Sequence, residues 1–240
     1  MMEAIVLAGG LGTRLRNVAP GLPKPMAPVA GRPFLTYLLD YLAAQCITRT
    51  ILSVGYRHEA ITSFFGTRYG SIELEYCIEH ELLGTGGGLC RAATLIQGDS
   101  FFALNGDTLL RLDYHALEAL ARNVGSRNIV VALRSLPDAA RYGSVTLEAG
   151  RITGFNAKGT PGPGLINGGV YWMPKHIFDS FSMPPKFSLE QDFLESRLDE
   201  LQPVGLVTDA PFIDIGLPES LEQAQILLPQ WSKFPPGSNH

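Results

Sequence analysis

Between Ile5 and Phe34 the chain carries four charged side chains, Arg14, Arg16, Lys24 and Arg32, and all of them are basic. Gly9, Gly10 and Gly12 come just before, directly after an apolar run. Adjacent glycines let backbone N–H groups approach an anion that a Cβ would hold away, and a following helical turn adds its positive end. The stretch reads as a phosphate cradle. It is not a Walker A loop, which needs GxxxxGK[ST], because Gly9-Gly10-Leu11-Gly12-Thr13-Arg14 runs on into Leu15-Arg16. Nor is it a dinucleotide fingerprint, since Leu15 takes the third glycine's place. A second cluster, Gly84-Thr85-Gly86-Gly87-Gly88, follows Glu79-His80-Glu81. Bare backbone of that kind suits a nucleobase or ribose lying against it. A carboxylate at Glu81 could accept the N1 and N2 N–H groups of guanine or the single N–H of uracil, so this residue alone does not choose the base. Glu79, His80, Arg16 and Arg32 read as surface groups. No cysteine, serine or histidine has the context of an activated nucleophile.

These stretches need a scaffold that brings them to one edge. Glu3 to Ala8 is a short apolar run ending in glycines, the pattern of a buried strand. Pro33 sits where a helix would begin, with Phe34, Leu35, Leu38, Leu39 and Leu42 at helical spacing after it. Strands are expected at Thr50–Val54, Ile72–Cys77 and Phe101–Leu104, and helices at Arg57–Phe65 and Gly88–Ile96. This alternation predicts an α/β fold with a doubly wound, mostly parallel, Rossmann-like sheet and ligand loops at the strands' C-terminal ends. Asn105-Gly106-Asp107 lies at such an end. After Asn123 the rhythm changes: closely spaced runs at Arg127–Arg134, Gly143–Leu147, Ile152–Phe155 and Leu165–Trp172 predict a smaller antiparallel portion. Ser188-Leu189-Glu190 reads as a helix start, Val204–Val207 as a strand, and Pro218–Leu227 as a closing helix. The expected organisation is one domain over residues 1–228, with halves at about 1–123 and 124–228 and a tail at 229–240.

Bulk properties exclude several classes. A formal net charge of -4 without basic clustering argues against a nucleic-acid partner. No apolar run reaches the roughly 20 residues that span a bilayer, and the acid at Glu3 does not suit a signal peptide. Cys46, Cys77 and Cys90 lack zinc spacing and are odd in number, so they read as reduced core thiols of a cytoplasmic protein.

The long pattern is more specific than any single loop. LAGGLGTRL followed by PKPMAPVAGRPFL, then LLGTGGG, NGD, NGGVY and FIDIGLP in that order, resembles the sugar-1-phosphate nucleotidyltransferases over the chain up to about Leu228. The resemblance implies that Leu7, Ala8, Gly9, Gly10, Gly12 and Thr13 wrap a nucleoside triphosphate, that Arg14 grips the pyrophosphate that leaves, and that Lys24 reaches the reacting phosphates. Gly84, Thr85 and Gly86 would carry the base with Glu81. Asn105, Gly143, Lys158, Asn167, Gly168 and Glu190 would line the acceptor sugar 1-phosphate, although helix capping is the simpler account of Glu190. Asp107 and Asp214 would hold Mg²⁺, whose preference for oxygen ligands two carboxylates and phosphate oxygens satisfy. Asp99, Asp113 and Asp209 fit loop or cap positions. One departure stands out: the family's F-x-E-K is Phe155-Asn156-Ala157-Lys158, with alanine in the acid's place.

Within the family, RYGSV, GLINGGVY and KFSLEQDFL look most like the D-glycero-α-D-manno-heptose 1-phosphate guanylyltransferases, which implies GTP as donor and a product that feeds a bacterial surface polysaccharide. An N-acetylmuramic acid 1-phosphate uridylyltransferase shares the TGGG segment but lacks the GLINGGVY context; hexose 1-phosphate enzymes are the next alternative. A catalytically silent sugar-nucleotide-binding module is a rival that only Ala157 favours. An NAD-dependent dehydrogenase is set aside, because no acid ends the second strand. The family alone suggests a homodimer.

Overall fold

Alternate residues of the first strand face two different cores. Ala4 and Val6 join one buried cluster and Ile5 the other, and none of the three is exposed. A strand buried on both faces belongs in the middle of a sheet that helices cover on each side.

The computed structural model describes residues 2–10, 21–125 and 127–232. In chain order the strands are β1 (Met2–Leu7), β2 (Pro28–Val29), β3 (Arg32–Pro33), β4 (Ile47–Val54), β5 (Arg68–Tyr69), β6 (Ile72–Ile78), β7 (Ser100–Asn105), β8 (Thr108–Leu110), β9 (Val130–Leu136), β10 (Val145–Glu148), β11 (Arg151–Phe155), β12 (Gly164–Pro174), β13 (Val204–Thr208) and β14 (Phe212–Asp214). The helices are α1 (Phe34–Ala44), α2 (His58–Phe65), α3 (Gly84–Ala93), α4 (Tyr114–Val124), α5 (Leu198–Leu201) and α6 (Pro218–Trp231). One sheet takes ten of the strands in the order β10-β11-β13-β9-β12-β7-β1-β4-β6-β5. Around β1 it is parallel, with Ile5 opposite Ile51 and Ala103. β12 then enters antiparallel between β7 and β9 and joins the second half of the chain to the first. The expected parallel sheet with an antiparallel portion is present.

Helices α1, α2, α4 and α6 put Leu38, Ile61, Leu117 and Leu221 into one core, while α3 and the π-helical turn Leu189–Leu194 put Leu89 and Phe193 into the other. α4 has no counterpart among the expected helices. Its signal is local: Asp113, read as a cap, accepts from the backbone N–H of His115 and starts it. α6 continues past the expected boundary at Leu228 to Trp231, with Pro229 in its last turn. Cys77 is a core thiol and burial raises its pKa, but Cys46 is exposed in a turn at φ +63°, which corrects the reading of all three cysteines as core.

At the N-terminal edge of the sheet, away from the loops described next, Arg49 pairs with Glu3 and Glu75. Glu3 also accepts from the N–H groups of Gln97 and Gly98 at 2.9 and 2.7 Å. Its side chain is fully buried, so the pairing offsets a desolvation that an unpaired carboxylate could not bear.

Candidate active site

Three backbone hydrogen bonds tie the C-terminal ends of the central strands together. Ala8 N–H donates to the Ser53 carbonyl at 2.7 Å, Glu79 N–H to Val54 at 2.7 Å, and Gly106 N–H to Leu7 at 2.9 Å. A Cβ on Gly106 would lie 2.6 Å from the Leu7 carbonyl oxygen, so the NGD turn needs its glycine to cross β1 this closely. The ends so fixed frame a cavity of about 530 Å³. Leu7, Ala8, Gly9 and Gly10 enter it from β1, Asn105 and Asp107 from β7, and Gly84 and Thr85 from the start of α3. Lys24, Pro25, Glu79, Leu82 and Lys186 complete the wall.

Lys24 opens a single 3₁₀ turn, Lys24–Met26, between Pro23 and Pro25, and the buried Pro25 and Met26 anchor it. Its ammonium donates to the Asp107 carboxylate. Asp107 lies just before β8, which pairs with β14, and Ile215 N–H donates to the Asp107 carbonyl at 2.9 Å. This brings Asp214 alongside. A Cβ on Gly216 would fall 2.6 Å from Asp214 Oδ1 and 3.5 Å from Lys24 Nζ, so that glycine keeps the space between them open. Asp214 accepts from Arg141 Nη2 at 2.8 and 2.9 Å, from the Tyr142 hydroxyl at 2.5 Å and from Gly216 N–H at 2.8 Å. Burial, reinforced by the Asp214 carboxylate, pushes the Tyr142 phenol well above its usual range.

The opposite wall is built on glycines that are helical. A Cβ on Gly86 would lie 2.2 Å from Phe187 Cε2, one on Gly87 2.3 Å from the Pro185 carbonyl oxygen, and one on Gly88 2.7 Å from Glu79 Oε1. The cluster begins α3 at Gly84, four residues before the expected start, because only glycines admit the segment Pro185–Phe187 so near the helix. Phe187 N–H donates to Leu83 at 3.0 Å and its carbonyl accepts from Gly86 N–H at 3.0 Å. Glu79 accepts from Ser53 Oγ at 2.8 Å and from Leu83 N–H at 3.1 Å, which holds its carboxylate at the cavity. This corrects its reading as a surface group.

Next to Thr85 runs a polar chain. The Thr85 hydroxyl donates to Glu190 Oε2 at 2.9 Å, the Tyr171 hydroxyl to Glu190 Oε1 at 3.2 Å, and Asn167 Nδ2 to the Tyr171 oxygen at 2.7 Å. Tyr171 is fully buried, and burial first, then the Glu190 charge, raises its pKa well above the ordinary value. The cap of the π-helical turn is Ser188, which accepts from Gln191 N–H, so Glu190 is free of the capping role read for it.

Of the residues singled out in the sequence, Leu7, Ala8, Gly9, Gly10, Lys24, Gly84, Thr85, Asn105 and Asp107 meet at one cavity. Glu190 and Asn167 join it through Thr85, and Asp214 stands behind Asp107. Gly86 packs on Phe187, and Gly168 is buried where a Cβ would meet Leu110 Cδ2 at 2.7 Å and the Ala132 carbonyl oxygen at 3.0 Å. Gly143, at φ +79°, forms a turn against the Asn156 carbonyl, and Lys158 beside it is exposed. Glu81 is exposed and outside the lining. Gly12, Thr13, Arg14 and Arg16 lie outside the described residues. Sequence reading missed three contributors: Glu79, whose signal was its place just past β6; Arg141, which sits inside the RYGSV motif; and Lys186, the first residue of KFSLEQDFL. Among the described residues no group of three or more His, Cys, Asp or Glu side chains could hold a metal, and no helix is long and apolar enough to cross a membrane.

A family model described as nucleotidyl transferase matches residues 3–230. A D-glycero-alpha-D-manno-heptose 1-phosphate guanylyltransferase of Aneurinibacillus thermoaerophilus is 44% identical over 225 residues, which are 93% of this chain and 97% of that relative. A Campylobacter jejuni protein of the same name is 39% identical over 91% of this chain and 96% of its own. The crystal structure of HddC from Yersinia pseudotuberculosis complexed with GMP-PN superimposes with a TM-score of 0.81 at 35% identity, covering 94% of this chain and 98% of that one.

Proposed function

Because this chain belongs to the nucleotidyl transferase family, we propose that it transfers the guanylyl group of GTP to D-glycero-α-D-manno-heptose 1-phosphate, releasing pyrophosphate. The observation that carries the sugar and the base is the match, over nearly the whole of both chains, to two relatives of that name. In the reaction a phosphate oxygen of the sugar 1-phosphate attacks the α-phosphorus of GTP. A new P–O bond forms, the bond to the bridging oxygen breaks, and the electron pair leaves with pyrophosphate. The attacking oxygen is already anionic, so no base has to take a proton, and catalysis rests on positioning and on cations placed around spread anionic charge.

Each wall of the cavity has a part in this reading. Gly9 and Gly10 present backbone to the triphosphate, and by family resemblance Gly12 and Thr13 share that task while Arg14 grips the departing pyrophosphate. Lys24 exchanges its Asp107 partner for the reacting phosphates. Gly84 and Thr85 carry the base, and the carboxylate that can accept from guanine N1–H and N2–H is Glu79, in the cavity, in place of Glu81, outside it. Glu190, Asn167, Asn105 and Lys158 take the sugar phosphate. Glu190 supplies a hydroxyl-binding carboxylate, which Ala157 cannot.

The donor set fits Mg²⁺. Asp107, just before β8, and Asp214, on the paired β14, would offer hard oxygens to such an ion, and among the described residues no group of three or more His, Cys, Asp or Glu gathers to hold it, which suits an ion that binds through one or two carboxylates together with substrate phosphates. When bound, the ion neutralises charge on the triphosphate and orients the phosphates for in-line attack. A cytoplasmic place follows from the same reading, since that is where GTP is supplied.

The test is pyrophosphate release across GTP, UTP, dTTP, CTP and ATP against heptose, mannose, glucose and N-acetylmuramic acid 1-phosphates. Turnover concentrated on GTP with the heptose supports the proposal. Preference for another pair would keep the class of reaction and overturn the substrates.

A further inference from the structure

Among the described residues two cations line the cavity, and only one is engaged. Lys24 is paired with Asp107, whereas Lys186 has no ion-pair or hydrogen-bond partner among the described residues. Its backbone is nevertheless firmly held. Pro184 and Pro185 restrict the chain before it. Phe187 after it is 4% exposed, sits among Phe178 and Phe193, and exchanges hydrogen bonds with Leu83 and Gly86. Glycines at 86 and 87 are what allow this segment to lie on α3. The fold thus spends two constrained backbone positions on bringing a lysine to the same wall as Leu82, Gly84 and Thr85.

On that wall the polar groups are complementary. Glu79 is an acceptor and Lys186 is a donor only. Guanine offers O6 and N7 as acceptors beside the N1–H and N2–H donors, while adenine and cytosine put an amino donor where guanine or uracil has an oxygen. An ammonium fits the oxo bases and opposes the amino bases; a carboxylate then distinguishes guanine by its second donor.

We infer that Lys186 determines specificity for the base, donating from its ammonium to O6 and N7 of a guanine laid against Gly84 and Thr85. The inference rests on the GTP reading given above. It assigns Lys186 to the base, leaving the phosphates to Lys24.

The experiment crosses the residue with the atom it is said to touch. Wild type, Lys186→Ala and Lys186→Arg are assayed for pyrophosphate release with GTP, with ATP and with 6-thioguanosine triphosphate, which keeps N1–H, N2–H and N7 but puts a weakly accepting sulfur in place of O6. Losing a hydrogen bond to a charged donor should raise the KM for GTP about tenfold to a hundredfold in Lys186→Ala. The kcat and the KM for the sugar phosphate should stay put. The thio analogue should be a poorer substrate than GTP for wild type, and the alanine variant should treat the two alike. Lys186→Arg should retain the preference for GTP over ATP. An equal loss on GTP and the analogue would place the lysine on a phosphate and overturn the inference, as would a rise confined to the KM of the sugar phosphate. Wild type inert with GTP would overturn the functional reading and this inference together, whereas an active wild type with an unaltered Lys186→Ala overturns the inference alone.

Discussion

Replacing Gly87 by alanine separates two accounts of the glycine cluster. In an open helix interior the change should stabilise by about 0.5–1 kcal/mol, because alanine loses less backbone entropy on folding. Gly87 is the fourth residue of α3, and a Cβ there would lie 2.3 Å from the Pro185 carbonyl oxygen and 3.0 Å from Leu83 Cβ. Carbon and carbonyl oxygen do not settle closer than about 3.3 Å. The segment must therefore retreat by about 1 Å, against the bonds that join Phe187 to Leu83 and Gly86. Overpacking of this kind costs about 1–3 kcal/mol, and one weakened hydrogen bond adds about 1 kcal/mol. The expected balance is a net loss of about 1–3 kcal/mol, with the sign opposite to helix propensity. Urea unfolding followed by circular dichroism measures it, as a lower midpoint at an unchanged slope. The same retreat carries Lys186 away from the cavity, so the KM for GTP should rise as well. A variant as stable as wild type, or more so, would refute the packing account and leave the glycines to ligand contact alone.

Three further outcomes follow from the contacts described. Glu3→Gln leaves the buried Arg49 with Glu75 as its one carboxylate partner and should cost about 3 kcal/mol in urea unfolding with the active site intact; a loss under 1 kcal/mol would show the network to be dispensable. Glu190→Ala cuts the link from Thr85 to Tyr171 and Asn167, and should raise the KM for the sugar phosphate by tenfold or more, by the loss of about 1.4 kcal/mol, while the KM for GTP stays within about twofold; equal effects on both would count against a sugar role. The phenols of Tyr114, Tyr142 and Tyr171 are raised on folding, chiefly by burial. The native state then holds protons that the unfolded chain releases above about pH 10, so stability should fall as pH climbs through that value. Ultraviolet absorbance should show these phenols ionising only as the native circular dichroism is lost, and ionisation within the folded chain near pH 10 would contradict the burial argument.

The sequence was most legible where backbone chemistry leaves punctuation. The apolar run before Gly9, the helix that follows Pro33 and the NGD turn each announce a strand end or a helix start, and all three stand where expected within a few residues. The doubly wound half could be read from that alternation. Less legible were features that depend on what lies across the fold. The TGGG cluster looks like an open platform, yet its glycines make room for Pro185 and Phe187, about 100 residues later in the chain. Glu79 and Glu81 share a loop and a charge, and only hydrogen bonds from Ser53 and Leu83 show which of them faces the cavity. Lys186 opens the KFSLEQDFL motif, but nothing in that motif marks it as a cavity residue, because its position is set by the residue after it. The pairing of β8 with β14, which brings Asp214 beside Asp107, joins segments that short-range patterning treats as loops.

The central claim is guanylyl transfer at this cavity. Its most direct test follows the α-phosphorus of GTP, labelled and incubated with D-glycero-α-D-manno-heptose 1-phosphate and Mg²⁺, in wild type and in Asp107→Asn. The account predicts that the label appears in GDP-heptose, none in pyrophosphate, and that Asp107→Asn lowers the rate by at least about a hundredfold, the scale of losing one electrostatic contact to the transition state. Label released as GMP, or transfer undiminished in Asp107→Asn, would contradict it.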